Sequence, residues 1–183
     1  MKTAFFFFAV PALAHAATIS LNVASPVTVG SSFNVLVQAT NVGDLVEGYG
    51  FNVTIGNGSI FKYVGETAGA LFTDVSSAFG GTPMVAGLAT SLGGIGPADF
   101  SGPLTLATLR FTALGAGTTM IGVISSSSDL NQGLIFANLP YGSISASAPV
   151  TAAIPEPGTM LLTSLVGAAI CLARSRAARI AIG

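Results

Sequence analysis

His15, Cys171, three tyrosines and seven carboxylates are the groups through which this 183-residue chain could do chemistry. The only histidine lies in an N-terminal segment that reads as removable. The only cysteine lies in an apolar tail. With His15 gone, neither a Ser-His-Asp nor a Cys-His arrangement can be built, and a zinc site rich in His and Cys is excluded. No G-x-x-x-x-G-K-[ST] or G-x-G-x-x-G run is present to cradle phosphates. Paired carboxylates, as in glycoside hydrolysis, are the remaining catalytic route. Between residues 17 and 150 the acids are Asp44, Glu47, Glu66, Asp74, Asp99 and Asp129. Most fall in expected loops, where solvation is their ordinary role, so the chain reads as a non-enzyme.

Two binding chemistries fit better. Calcium takes several carboxylate and carbonyl oxygens, and Asp44 with Glu47, or Asp99, or Asp129, could contribute to a site. No EF-hand or repeat spacing accompanies them. Sugar rings stack on aromatic faces, with amides and hydroxyls meeting the sugar hydroxyls. Tyr49, Tyr63 and Tyr141 are the candidates, with Asn52 and Gln38 as polar neighbours. The plain alternative for each tyrosine is a half-buried ring with its hydroxyl at the rim. Tryptophan is absent. The runs Asn52-Val53-Thr54 and Asn57-Gly58-Ser59 match the glycosylation pattern, which chance explains in a chain so rich in Ser and Thr.

Charged residues make up only 7% of the chain, against about 25% in ordinary globular proteins. Hydrophobic residues make up 51%, so the chain is no disordered polar polymer. Residues 17–150 hold two basic groups, Lys62 and Arg110, against the six acids above, a net charge of −4. No basic stripe suits nucleic acid.

The ends differ from the middle. Lys2, the apolar run Thr3–Leu13 and Ala14-His15-Ala16 follow the order of a secretory signal peptide. Cleavage after Ala16 leaves Ala17 as the mature N-terminus. At the other end come Pro155-Glu156-Pro157, an uncharged run from Gly158 to Ala173, and Arg174, Arg176 and Arg179. Sixteen residues give about 24 Å of helix, below the usual span of about 20 residues. The arginines favour a cytoplasmic end. Cys171 reads as a small hydrophobe in that run, and a lone cysteine leaves no intramolecular disulfide.

This tripartite tail resembles the PEP-CTERM sorting signal of Gram-negative bacteria, over about the last thirty residues. Ile154 stands where many members have Val. The resemblance implies recognition by an exosortase, a membrane-embedded cysteine transpeptidase that cuts near Pro155, Glu156 and Pro157. The prolines hold that peptide extended, as a protease requires.

Residues 17–150 alternate with period two, as strands do. Candidate strands are Thr18–Val23, Phe33–Thr40, Tyr49–Ile55, Ile60–Val64, Pro83–Thr90, Leu104–Ala113, Thr118–Ser125, Gly133–Asn138 and Tyr141–Ala146. Gly56-Asn57-Gly58 predicts a hairpin turn with positive φ. Only Glu66–Phe79 could hold a short helix. The expected fold is all-β, an antiparallel β-sandwich of about eight or nine strands, followed by a single hydrophobic C-terminal helix.

Val27, Gly30, Phe33 and Val35, then Gly48, Tyr49 and Phe51, then Leu106, Ala107, Leu109 and Phe111 resemble the motifs of the cohesin fold, a jelly roll, over about residues 18–147. The family often has an aspartate-proline turn where this chain has Gly56-Asn57-Gly58. Cohesins of cellulose-degrading complexes bind dockerins through a sheet face, but no residue here carries that partner over.

The expectation is therefore a signal peptide at 1–16, a cohesin-like sandwich at 17–150 and a sorting segment at 151–183. The chain would be exported, held transiently at the inner membrane, and passed to the cell surface or an exopolysaccharide matrix as a non-catalytic component. A carbohydrate-binding module is the alternative, ahead of a polysaccharide-active enzyme. The expected partners are the exosortase, extracellular polysaccharide or another surface protein, with no nucleic acid. No cofactor is expected apart from the calcium weighed above.

Overall fold

Strict alternation gives each strand one apolar row, and two rows can be hidden together only by stacking two sheets. A computed structural model describes residues 17–81 and 83–154. Ala14, Ala16, the sorting motif Pro155–Pro157, the apolar tail run and Arg174, Arg176 and Arg179 lie outside the described residues.

The strands are β1 (Thr18–Val23), β2 (Val27–Thr28), β3 (Ser32–Thr40), β4 (Val46–Ile55), β5 (Phe61–Ala68), β6 (Phe72–Asp74), β7 (Met84–Ala89), β8 (Leu104–Ala113), β9 (Gly117–Ile124), β10 (Gly133–Phe136) and β11 (Ser145–Ala153). One sheet has the order β1-β3-β8-β5. The other has the order β2-β11-β9-β4-β7-β6, with β10 also paired to β4. All pairings are antiparallel except β2 with β11. The all-β sandwich expected from the alternation is what the described residues form.

The inner faces meet in one core. Val35 and Val37 of β3, Leu109 and Phe111 of β8, and Phe61 of β5 oppose Tyr49, Phe51 and Val53 of β4 and Ile121 of β9. Full burial of each large side chain stabilises by about 1.5–3 kcal/mol. Phe33 packs edge-on to Phe61 with ring centroids 5.1 Å apart, and stacks on Phe111 at 5.7 Å. Aromatic contacts at such distances add to simple burial.

Three local expectations need correction. Gly56-Asn57-Gly58 closes no hairpin, because β4 and β5 belong to different sheets. The turn instead carries the chain between layers, and Asn57 Oδ1 accepts from the Ser59 amide at 2.9 Å and the Ser59 hydroxyl at 2.7 Å. Glu66–Phe79 holds no α-helix. A bulge between Tyr63 and Gly65 lets β5 run on to Ala68, β6 follows, and only a 3-10 turn at Ser76–Phe79 is helical. Gly65 sits at φ 152°, which suits glycine at that bulge. Tyr141 lies in a loop rather than a strand, and β11 runs from Ser145 to Ala153.

Candidate functional site

The run Ser125–Gln132 joins β9 to β10, and residues 137–144 join β10 to β11. Both connections lie at one end of the second sheet, and a cleft of about 250 Å³ opens between them. Ser125, Ser126, Ser127, Asp129, Leu130, Gln132, Tyr141, Gly142 and Ser143 line it.

The cleft wall is held by side-chain amides rather than by regular structure. Gln132 Oε1 accepts from the Asn52 side-chain amide of β4 at 3.0 Å and from the Ser126 amide at 2.8 Å. Gln132 Nε2 donates to Asp129 Oδ2 at 3.0 Å. Asp129 Oδ1 accepts from the Asn131 amide at 3.0 Å. That backbone N–H, with help from the Gln132 and Asn131 side chains, holds the Asp129 carboxyl below its usual range despite partial desolvation. The other wall is fixed by Ser125, whose hydroxyl accepts from the Ile144 amide at 2.8 Å and whose own amide donates to the Ile144 carbonyl at 2.8 Å.

The connection can lie this close to the sheet because of Gly50. A methyl there would collide with the Asn131 carbonyl oxygen and stand 3.3 Å from the Gln132 Cα. Glycine at this β4 position therefore seats the wall on the outer face of the sheet.

Over this polar frame stand two exposed apolar groups. Tyr141 is 56% exposed and Leu130 72% exposed. An exposed ring beside fixed hydroxyls, an amide and a carboxylate can stack on one face of a sugar while its hydroxyls find partners.

The three tyrosines of the sequence reading are not brought together. Tyr49 is 2% exposed, so it offers no face to a ligand. It points inward because it shares its β4 face with Phe51 and Val53. It stacks on Phe51 at 5.7 Å and meets Phe72 edge-on at 4.9 Å. Its ring lies across Gly87 of β7, where a methyl would stand 2.5 Å from it. The Tyr49 hydroxyl is buried with no hydrogen-bond partner among the described residues, and burial first, then the negative charges of Asp74 and Glu66, push its pKa far up. Tyr63, on β5, packs against Phe111 and donates a short hydrogen bond to Glu66 Oε2. Its pKa is pushed up by burial and then by that bond. Tyr141 alone lies in the cleft. Of the expected polar neighbours, Asn52 props the cleft wall, while Gln38 lies in the other sheet, opposite Ser20.

Of the expected calcium ligands, Asp99 and Asp129 accept from amides of their own loops, Asp44 ties its loop to the β10–β11 connection, and Glu47 lies on β4. Asp44 accepts from the Asn138 and Leu139 amides at 2.8 and 2.9 Å and from the Asn138 side chain at 3.0 Å, which holds its carboxyl below the usual range. Asp99 Oδ2 accepts from the Gly96 amide at 2.7 Å. Among the described residues no three His, Cys, Asp or Glu side chains group as a metal would need. No helix among them is long and apolar enough to cross a membrane.

Sequence reasoning passed over Leu130, Gln132 and the serines. The available signal was one large apolar residue, Leu130, in the polar run Ser125–Gly133.

No family model matches the chain, and no curated protein matches it. Solved structures do. The chain is similar to a cohesin module from a family 33 glycoside hydrolase of Clostridium perfringens, at 12% identity and TM-score 0.59 over 77% of this chain and 99% of that one. It is similar to the sixth cohesin of scaffoldin B from Acetivibrio cellulolyticus, in complex with a mutant dockerin, at 15% identity and TM-score 0.51 over 76% and 99%. It is also similar to the second type II cohesin module of the adaptor ScaA scaffoldin of that organism, at 14% identity and TM-score 0.50 over 80% and 96%. At such identities the likeness is one of architecture, and by architecture residues 17–154 are a cohesin-like β-sandwich.

Proposed function

We propose that the chain is an exported, non-catalytic surface or extracellular-matrix protein whose sandwich is a binding module. Its tail delivers it: an exosortase-type transpeptidase cuts near Pro155, Glu156 and Pro157, after transient anchoring at the inner membrane. The observation that supports this reading is one of order. A cohesin-like sandwich ends its last strand at Ala153, and the Pro-Glu-Pro peptide, an uncharged run and three arginines follow at once. The dockerin complex of one similar cohesin supports a protein partner for the module. Intact mass of the exported protein tests the reading. A product beginning at Ala17 and ending near Pro157 supports it, and a product that keeps Arg174–Arg179 refutes it.

The Tyr141 cleft favours a second reading, in which the module holds a saccharide. Electrophoretic retention by immobilised polysaccharides then drops about threefold to tenfold in Tyr141→Ala, the worth of one aromatic contact. Unchanged retention removes this reading.

A further inference from the structure

We propose that the outer face of the β1-β3-β8-β5 sheet is a docking surface for an acidic, uronate-bearing polysaccharide. The proposal rests on the matrix role given above and names a partner for it on a face away from the Tyr141 cleft.

Charge is segregated in this module. The described residues contain two cations, Lys62 and Arg110. Lys62 opposes Thr112 across β5 and β8, and Arg110 lies two residues before Thr112 on β8. Phe61 and Phe111 occupy the buried alternate positions, so both cations project outward from one sheet. As diagonal cross-strand neighbours they stand about 7–8 Å apart. A guanidinium nitrogen of Arg110 lies 3.9 Å from where a methyl on Gly65 would stand. The bulge therefore leaves bare backbone beneath the Arg110 side chain.

No carboxylate among the described residues shares this face. Glu66 is on the same strand, but it opposes the buried Leu109 and accepts from Tyr63, which places it on the inner side. Asp44 and Asp99 sit in connections, and Asp129 in the cleft wall. Glu47 and Asp74 belong to the other sheet. Screening over about 8 Å at physiological ionic strength weakens their repulsion of a polyanion on this face.

Apart from Leu36 on β3 and the exposed bulge residue Val64, the rest of the face is hydroxyls and amides in register. Asn34 opposes Arg110, and Ser32 opposes Thr112, with their hydroxyl oxygens 3.3 Å apart. Protein interfaces concentrate aromatic residues and Met at their centres and are poor in Ser. This face carries no aromatic side chain, which favours a hydrophilic polymer over a protein. A guanidinium takes a carboxylate through two parallel hydrogen bonds, and the flanking hydroxyls can meet those of the adjoining sugars.

The test is affinity electrophoresis of the full chain in detergent, through gels holding polygalacturonate, neutral dextran or polyglutamate. Polygalacturonate is expected to retard the chain, dextran not to, and added salt to abolish the effect. The double variant Lys62→Gln/Arg110→Gln weakens polygalacturonate binding about tenfold, as loss of two exposed ion pairs implies, with circular dichroism unchanged. Gly58→Ala, a control whose methyl meets nothing within 4 Å, leaves it unaltered, and a loss in Tyr141→Ala but not in the double variant would place the binding in the cleft and overturn the proposal. Equal retardation by dextran, insensitivity to the double variant, or retardation by polyglutamate alone would each overturn the proposal. The last outcome would identify an acidic protein partner.

Discussion

Gly50→Ala probes the link between the sheet and the cleft. The added methyl projects from the outer face of β4 into the Asn131 carbonyl oxygen, and stands 3.1 Å from the Asn131 carbonyl carbon and 3.3 Å from the Gln132 Cα. All three are backbone atoms, so no flexible side chain can swing aside. The connection must lift, and the Asn52–Gln132 and Gln132–Asp129 hydrogen bonds stretch with it. Overpacking of this kind costs about 1–3 kcal/mol. At about 3 °C per kcal/mol for a domain of this size, Tm drops by about 3–9 °C. Gly58→Ala is the control, because nothing stands within 4 Å of its methyl position, and its Tm stays within about 1 °C. Melting is followed by circular dichroism, since the chain has no tryptophan. Saccharide retention at the cleft falls in Gly50→Ala and persists in Gly58→Ala. If Gly50→Ala melts with wild type, the connection is not seated on β4 and the cleft wall is not rigid.

Tyr49→Phe deletes a buried hydroxyl that has no partner among the described residues. It is therefore neutral or stabilising by up to about 1 kcal/mol in denaturant unfolding, and a loss above that would mean the hydroxyl is paired. Tyr49 and Tyr63 have pKa values raised above the usual 10.0, so their contribution is whole below about pH 10 and fades as pH climbs further. An alkaline titration of Tm shows this as a decline that starts near pH 10. Asp44 and Asp129 are shifted the other way, below 3.8. Their contribution is whole above that value and is lost as pH falls through the lowered pKa values, so Tm is level between about pH 7 and 5 and declines below about pH 4. Asp129→Asn flattens part of that acid limb.

The strands were legible where alternation holds over most of the run. Thr18–Val23 and Leu104–Ala113 form over the spans that their pattern predicts. Two strands escaped because they are too short to alternate: β2 has two residues and β6 has three. The turn at Gly56–Gly58 misled because local residue preference says nothing about which sheet the next strand joins. Tyr49 shows why the candidate site was only partly legible. Its face is set by its strand neighbours, but the space for its ring comes from Gly87, 38 positions along the chain, and only strand pairing brings the two together. Tyr141 entered as one of three equals. What singles it out is a wall built from Asn52, Asp129 and Gln132, whose hydrogen bonds span as many as 80 positions.

The most direct test of the account is the intact mass of the polypeptide recovered outside cells that possess a working sorting transpeptidase. If the tail is a sorting signal, that chain starts at Ala17 and closes near Pro155–Pro157, with the arginines gone. A recovered chain that still carries Arg174, Arg176 and Arg179 would contradict the account.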